Sequence, residues 1–277
     1  MKLQMILPRE RTSKIAAFRA AVWAHYRAAG RHDLPWRKTR NAYHILVSEV
    51  MLQQTQVSRV QEKYRAFIVA FPTVQALATA ELSDVLKHWQ GLGYNRRAKY
   101  LRDSARLIVD RCEGDIRRAL AEKLPGVGPY TRAAVRIFAY NEPHTTLETN
   151  IRAAYIHRFF PDTPIVDDRH ILVYAAQAAR GQDPREWHWA LMDYGAHVKK
   201  LHENPTRNSA TYVMQSRFEG SLRQIRGKIL RLLDDGEFGD LAIARRLAHD
   251  ERRVREALSA LARDGLVIAE KGSWRIA

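Results

Sequence analysis

Ser48-Glu49-Val50-Met51-Leu52-Gln53-Gln54-Thr55-Gln56 sets one carboxylic acid among large apolar residues and follows it with uncharged polar ones. On a helix, Glu49 shares a face with Ile45, Leu46 and Leu52, at i−4, i−3 and i+3. The acid therefore falls on the buried stripe. A carboxyl group in apolar surroundings keeps its proton to higher pH, because desolvation disfavours the charged form, and a general acid needs that property. A buried glutamate also has a plainer reading, as a core residue satisfied by an arginine or a helix end. The rest of the chain decides between the two.

The 277 residues allow one or two domains with ample material for a core. A formal net charge of +16 points to a polyanionic partner, since lysines and arginines that neutralise phosphates gain from counterion release. Nucleic acid leads among such partners, and a merely solvated basic surface is the alternative. Cys112 is the sole cysteine, which excludes an intramolecular disulfide, a thiolate zinc site and a cysteine-ligated iron–sulfur cluster. No signal-type apolar core opens the chain and no run approaches a membrane span. The expectation is a soluble, cytoplasmic monomer with no membrane partner, nucleoid-associated if the source is bacterial.

Apolar spacing predicts a helix over 12–29, capped by Thr12 or Ser13 and stopped by Gly30, then a loop over 32–37. Helical spacing resumes after Thr39, runs through Glu49, breaks near Gln53-Gln54-Thr55 and resumes over 57–70. Phe71-Pro72-Thr73-Val74 opens a turn and a helix, 82–89 is a helix ending at Gly91-Leu92-Gly93, and 94–112 reads as a long basic helix. Arg96, Arg97 and Lys99 on that helix are read as basic surface or phosphate contacts, with a solvated face as the alternative. Leu124-Pro125-Gly126-Val127-Gly128-Pro129-Tyr130-Thr131 lies between two helices. Its paired glycines allow a tight turn, and a helix starting near Thr131 points free N–H groups outward, so the loop can hold a DNA phosphate or be a turn only.

Residues 145–160 predict a buried segment leading into a helix capped by Thr149 or Asn150, with Glu148 just outside its positive end. Further helices are expected from 168 and over 184–195, then a polar irregular stretch over 204–215. No strand alternation precedes Gly220, so 1–219 is expected to be all-α and 220–277 a second domain. There, helices over 225–233, 241–248 and 250–263 and short strands over 265–269 and 273–276 around Lys271-Gly272 resemble a winged helix-turn-helix. Residues 216–277 hold 13 Lys+Arg and 10 Asp+Glu, a net +3, against 33 minus 20, or +13, for residues 1–215. The tail is either a second DNA contact, through Arg252, Arg253 and Arg255, or a protein-docking module.

Taken in order, Leu34-Pro35-Trp36-Arg37, the Ser48–Gln56 run with Val57, Phe71-Pro72-Thr73-Val74, Trp89 with Gly91-Leu92-Gly93-Tyr94, the Leu124–Thr131 run and Ala190-Leu191-Met192-Asp193-Tyr194-Gly195-Ala196 resemble the helix-hairpin-helix DNA glycosylases. Within that superfamily the resemblance is to the MutY-type adenine glycosylases, over roughly residues 12–200, and it implies the two-module all-α fold. It implies that Glu49 protonates the departing base, that Gln53 and Gln54 lie at the duplex where the flipped nucleotide was, and that Gly126, Val127, Gly128 and Thr131 belong to the phosphate-holding hairpin. Tyr130 stands where bifunctional lyases carry a nucleophilic lysine, so hydrolysis without a Schiff base is implied. The implied partner is double-stranded DNA with a mismatched or damaged base, which must be flipped out to be reached.

Three departures qualify the resemblance. The family's second carboxylate is an aspartate in a Leu-Asp-Gly-Asn-Val type of run, and here Leu147-Glu148-Thr149-Asn150-Ile151 stands in its place. Glu148 keeps the charge and adds a methylene, which requires either an adjusted pocket or weak activity. Usual members carry four cysteines after the Met-Asp-x-Gly-Ala run, and this chain has His197-Val198-Lys199-Lys200-Leu201-His202 and no cysteine. It is therefore read as a cluster-free branch with no cofactor and no metal site, His197 and His202 being ordinary polar or DNA-facing side chains. The MutT-like module that reads 8-oxoguanine has no counterpart in the tail. Removal of adenine from A:G or A:8-oxoguanine pairs is the leading activity; excision of uracil, thymine or hypoxanthine from mismatches, and a DNA-binding protein that has lost the chemistry, are the rivals.

Overall fold

The computed structural model describes residues 8–214 and 217–277. The first seven residues and Gln215, the end of the expected polar stretch, lie outside them. Fourteen helices and one hairpin are formed among the described residues: α1 Pro8–Ala29, α2 Ala42–Leu52, α3 Val57–Ala70, α4 Val74–Thr79, α5 Leu82–Trp89, α6 Arg96–Cys112, α7 Ile116–Ala119, α8 Pro129–Tyr140, α9 Thr149–Phe159, α10 Asp168–Ala179, α11 Pro184–Leu201, α12 Leu222–Leu233, α13 Asp240–Leu247 and α14 Glu251–Arg263, then β1 Val267–Glu270 and β2 Ser273–Ile276. The all-α expectation holds.

Local chemistry sets most boundaries. Asn41 caps α2 through its Oδ1, which accepts from the amides of Tyr43 and His44 at 2.9 and 3.2 Å. Asp183 caps α11, with Pro184 in the first turn where its missing N–H costs nothing. Helix α6 stops at Glu113, in the left-handed region at φ 56°, followed by Gly114 at φ 84°. Two expected limits change. Helix α1 starts at Pro8 rather than at a Thr12 or Ser13 cap, and α11 continues past Gly195 to Leu201, because that glycine is helical and serves a close approach described below.

The chain divides into two compact units, one of residues 1–40 and 129–214, the other of residues 41–128 and 215–277. In the first, Phe18 is fully buried among Tyr155, Phe159, Trp187 and Tyr194, with ring centroids 4.9 to 6.2 Å away. Arg19 donates to the carbonyls of Gln177, Ala178 and Arg180 and so closes the C-terminal end of α10. The Arg37 guanidinium meets the Asp193 carboxylate in two parallel hydrogen bonds of 2.7 and 2.9 Å, and Arg31 adds its Nε at 2.6 Å and its backbone amide at 2.8 Å. Burial alone would push the Asp193 carboxyl up, but the Arg37 hydrogen bonds and the Arg37 and Arg31 charges hold it below the usual carboxylate range.

In the second unit, α2 is buried nearly all round, and Phe67 of α3 packs against Phe71 and Trp89 at 4.9 and 5.9 Å. The tail groups with residues 41–128. Its core is Ile225 and Ile229 of α12, Ile243 of α13, and Val254, Leu258 and Leu261 of α14. Strands β1 and β2 pair antiparallel, Val267 opposite Ile276, through Lys271 at φ 47° and Gly272 at φ 81°, the positive φ pair that a two-residue hairpin turn requires.

Replacing Asp193 by asparagine leaves the buried Arg37 charge uncompensated and should cost about 3 kcal/mol of stability at neutral pH. Because the Asp193 carboxyl is held low, its contribution is complete above the ordinary carboxylate range and is lost as pH falls through its depressed value. Urea unfolding at pH 7 and at acid pH checks both: the gap between native and variant proteins should narrow on acidification, and an equal gap at both would contradict the assignment.

Candidate active site

Glu49 lies on α2 with 6% of its surface exposed, and Ile45 and Leu46 of the same face are 1% exposed. The sequence placed the acid on a buried stripe and the structure puts it there. One turn later α2 ends at Leu52; Gln53 leaves the helix at φ −55°, ψ 111°, and Gln54 takes a left-handed φ of 56° with its side chain exposed. Gln53 Nε2 donates to the Gly126 carbonyl at 3.1 Å. The turn expected at the duplex and the loop expected to hold a phosphate are thus joined directly.

Helix α6 braces this arrangement along one face. Arg97 directs Nη1 at the carbonyls of Val50, Met51 and Gln53, at 2.8, 2.9 and 2.6 Å, and Nη2 at the Gly93 carbonyl and the Thr55 hydroxyl, at 2.9 and 3.0 Å. It is a side-chain cap on the C-terminal end of α2, where unsatisfied carbonyls concentrate negative charge. One turn on, the Tyr100 side chain lies under Gly126, where a β-carbon would be crowded at 3.1 Å from Tyr100 Cβ and strained at a φ of 70° that disfavours any side chain. One turn further, Ser104 Oγ donates to the Pro125 carbonyl at 2.7 Å.

This corrects the reading of Arg97 as basic surface. It is 8% exposed, and burial pushes its guanidinium down to about 10, with Tyr94 acting in the opposite direction. Arg96 keeps half its surface exposed and pairs with Asp264 at 3.1 Å. Tyr100 and Ser104 were not singled out in the sequence; their spacing from Arg97, i+3 and i+7, was the available signal.

The hairpin crosses the boundary between the two units, which falls after Gly128. Val127 is buried and donates its amide to the Leu124 carbonyl at 3.2 Å, whereas Gly128 is exposed, with nothing within 4 Å of where a β-carbon would stand. Helix α8 begins at Pro129, two residues before the expected start. Tyr130 is half-buried in its first turn, and Thr131 is 3% exposed, so the backbone and Gly128 form the open part of the loop.

Glu148 is itself the N-cap of α9, in place of the expected Thr149 or Asn150. Its Oε1 accepts from the Ile151 amide at 2.8 Å and its Oε2 from Asn150 Nδ2 at 3.3 Å. A glutamate is an unusual cap. Asn150 Oδ1 in turn accepts from Lys199 Nζ at 3.3 Å. The Asn150 backbone is held by α11, since a β-carbon at Gly195 would stand 1.8 Å from the Asn150 carbonyl oxygen. Burial pushes the Glu148 carboxyl above the usual carboxylate range, and the Asn150 and Ile151 amides with the Lys199 and Arg152 charges pull it back part of the way.

The segment after α11 contains no thiolate, so its donor set does not fit an iron–sulfur cluster. Backbone pairing supports that corner: the Val166 amide donates to the Asn208 carbonyl at 2.7 Å and Ala210 donates back at 2.9 Å, over the buried Thr206 and Ser209. His197 stacks on His25 and His202 on His157, each pair at 4.4 Å, so the two histidines do not converge on one point. Among the described residues no group of three or more His, Cys, Asp or Glu side chains could hold a metal ion, and no helix is long and apolar enough to cross a membrane.

Residues 47–178 match the family described as HhH-GPD superfamily base excision DNA repair protein. The chain is 35% identical over 227 residues to the adenine DNA glycosylase of Mycolicibacterium smegmatis, covering 74% of this chain and 76% of that protein. It is 36% identical over 198 residues to the adenine DNA glycosylase of Rattus norvegicus, of whose length it spans only 38%. Among solved structures, a thermostable thymine-DNA glycosylase superposes with a TM-score of 0.60 at 28% identity, over 67% of this chain and 87% of that one. A non-covalent endonuclease III–DNA complex does so with a TM-score of 0.58 at 14% identity, a likeness of fold.

Arg97→Lys keeps the charge but cannot spread donors over α2, Thr55 and Gly93 together. Chemical denaturation should show a loss of at least about 2 kcal/mol, from hydrogen bonds to a charged group that has few substitutes in the core. A variant as stable as the native protein would show that the brace is not needed.

Proposed function

The chain belongs to the MutY-type branch of the HhH-GPD superfamily of base excision DNA repair proteins, and from that premise we propose that it is a monofunctional DNA glycosylase that flips adenine out of a mispair with guanine or 8-oxoguanine and hydrolyses its glycosidic bond. The observation that carries this reading is the burial of Glu49 on a helix whose end is tied, through Gln53, to the Gly126 loop. In the proposed step Glu49 gives its proton to a ring nitrogen of the extruded adenine. The bond between sugar and base then breaks with its electron pair leaving on the base. The Glu148 carboxylate stabilises the cationic sugar, and water adds to that carbon and loses a proton. Tyr130 carries no amine, so no Schiff base forms and the strand is left uncut. Double-stranded DNA is bound by the hairpin around Gly128, with Gln53 and Gln54 at the gap left by the flipped nucleotide.

Glu148 is the departure from the family's aspartate, and its surroundings supply a reason why the extra methylene is tolerated. The longer side chain folds back to cap α9, and Asn150, whose own side-chain oxygen accepts from Lys199, donates to its second oxygen. A second reading, release of thymine from mismatches, draws on the likeness to the thymine-DNA glycosylase.

Single-turnover base release on A:G, A:8-oxoguanine, T:G, U:G and hypoxanthine duplexes separates these readings. Adenine should be released, and Glu49→Gln and Glu148→Gln should each slow release about a hundredfold or more. Adenine left intact in every context, or a Glu49→Gln variant as fast as the native protein, would sink the proposal. The pH profile tests Glu148 separately. It acts ionised, so activity should fall as pH drops through its raised value. Lys199→Met removes a cation that favours the charged form and should move that acid limb to higher pH; an unmoved limb would deny Glu148 an electrostatic role.

A further inference from the structure

The tail packs against the start of α6 through polar contacts. Asp264, just after α14, receives both Arg96 and Arg226; Arg223 of α12 bonds the Tyr94 hydroxyl and lies over the Tyr94 ring; and Lys99 Cε rests against Gly265. A cleft of about 1020 Å³ opens between them, with Gln53 to Gln56 and Gly91 to Arg97 on one side and α12 with the end of α14 on the other. Its rim is strongly cationic. Arg59 and Lys87 on the first side and Arg231 and Arg263 on the tail side are exposed, and none of the four is in an ion pair among the described residues. The acids in the lining are Asp234 and Asp264, and Asp264 is already neutralised.

The wall has one further feature. Gly227 sits in the middle of α12, a poor place for glycine in a helix, with no atom within 4 Å of where a β-carbon would stand. It leaves a smooth gap between Arg223 and Arg231, which lie eight residues and about 12 Å apart along the axis. By contrast, two of the three α14 arginines expected to contact DNA are engaged elsewhere: Arg253 donates to the Gly220 carbonyl, and Arg255 pairs with Asp240 and Glu251.

We propose that the cleft between the Gln53–Gln56 turn and helix α12 holds the phosphodiester backbone of a DNA strand passing the flipped nucleotide, so that the tail is a sequence-independent DNA clamp working through α12, Arg231 and Arg263 rather than through Arg252, Arg253 and Arg255 in the first half of α14. The location of that strand rests on the glycosylase reading, because Gln53 and Gln54 place the cleft on the DNA. The exposed arginines displace the counterions condensed on the phosphates, and the open face at Gly227 lets the backbone lie close to the helix.

Fluorescence anisotropy with the full chain and an A:8-oxoguanine duplex, over a series of salt concentrations, tests this. Arg231→Gln with Arg263→Gln should weaken binding at least tenfold at low salt and lower the slope of log affinity against log salt by about 1.8, from two lost phosphate contacts. Gly227→Glu should weaken binding comparably without lowering the thermal midpoint, since it improves helix propensity while obstructing the cleft. Arg252→Gln with Arg255→Gln on α14 should change affinity less than twofold. The proposal is overturned if the cleft variants bind with native affinity and slope, as a protein-docking tail would, or if the α14 pair produces the loss instead. Base release on the same duplex keeps the two readings apart. Release by the native chain with a cleft variant of unaltered slope defeats the clamp alone, whereas a lowered slope in a chain that releases no base defeats the glycosylase assignment and leaves the clamp standing.

Discussion

The guanidinium of Arg97 at the end of α2 is the contact on which the rest of this architecture depends. A helix end buried in a core carries carbonyls that water cannot reach, and each left unpaired costs free energy comparable to a lost hydrogen bond. Arg97 satisfies those of Val50, Met51 and Gln53 at once and reaches across to Gly93 and Thr55. It thereby fixes where the helix stops, one turn beyond Glu49, and where the Gln53-Gln54 turn begins. Tyr100 and Ser104 extend the same face of α6 to the Gly126 loop. The acid and two candidate DNA-contacting segments are therefore positioned from one rigid element, which is what a site sensitive to shifts of an ångström requires.

The other carboxylate is held by a different device. Gly195 lets α11 come against the Asn150 carbonyl, the Asn150 side chain, itself held by Lys199, donates to one oxygen of Glu148, and the amide of Ile151 donates to the other. Helix α11 runs on to Leu201, and Lys199 lies in its last turn. The segment that follows is tied back by the pairing of Val166 with Asn208 and Ala210.

Much of this was legible in the sequence, for identifiable reasons. The helix bearing Glu49, its break at Gln53-Gln54 and the helix over 57–70 followed from apolar spacing, and the Lys271-Gly272 turn from residue chemistry. Three features were not. Arg97 looked like surface because a basic helix is usually solvated, and only its burial against carbonyls shows otherwise; backbone acceptors leave no mark in sequence. Glu148 as a cap was hidden because glutamate is a poor capping residue by propensity, and tertiary packing around Asn150 overrides that preference. The cleft of the tail was invisible for a third reason: Arg231, Arg263 and Gly227 become neighbours of the Gln53 turn only through contacts more than a hundred residues apart in sequence.

The central claim is that Glu49 acts on a base already outside the helix and takes no part in extruding it. A duplex carrying 2-aminopurine in place of the target adenine reports unstacking by its fluorescence. With the Glu49→Gln protein, the account predicts a rise in fluorescence on binding and an intact glycosidic bond after prolonged incubation. A base that stays stacked, or one that the variant releases as fast as the native protein does, would contradict it.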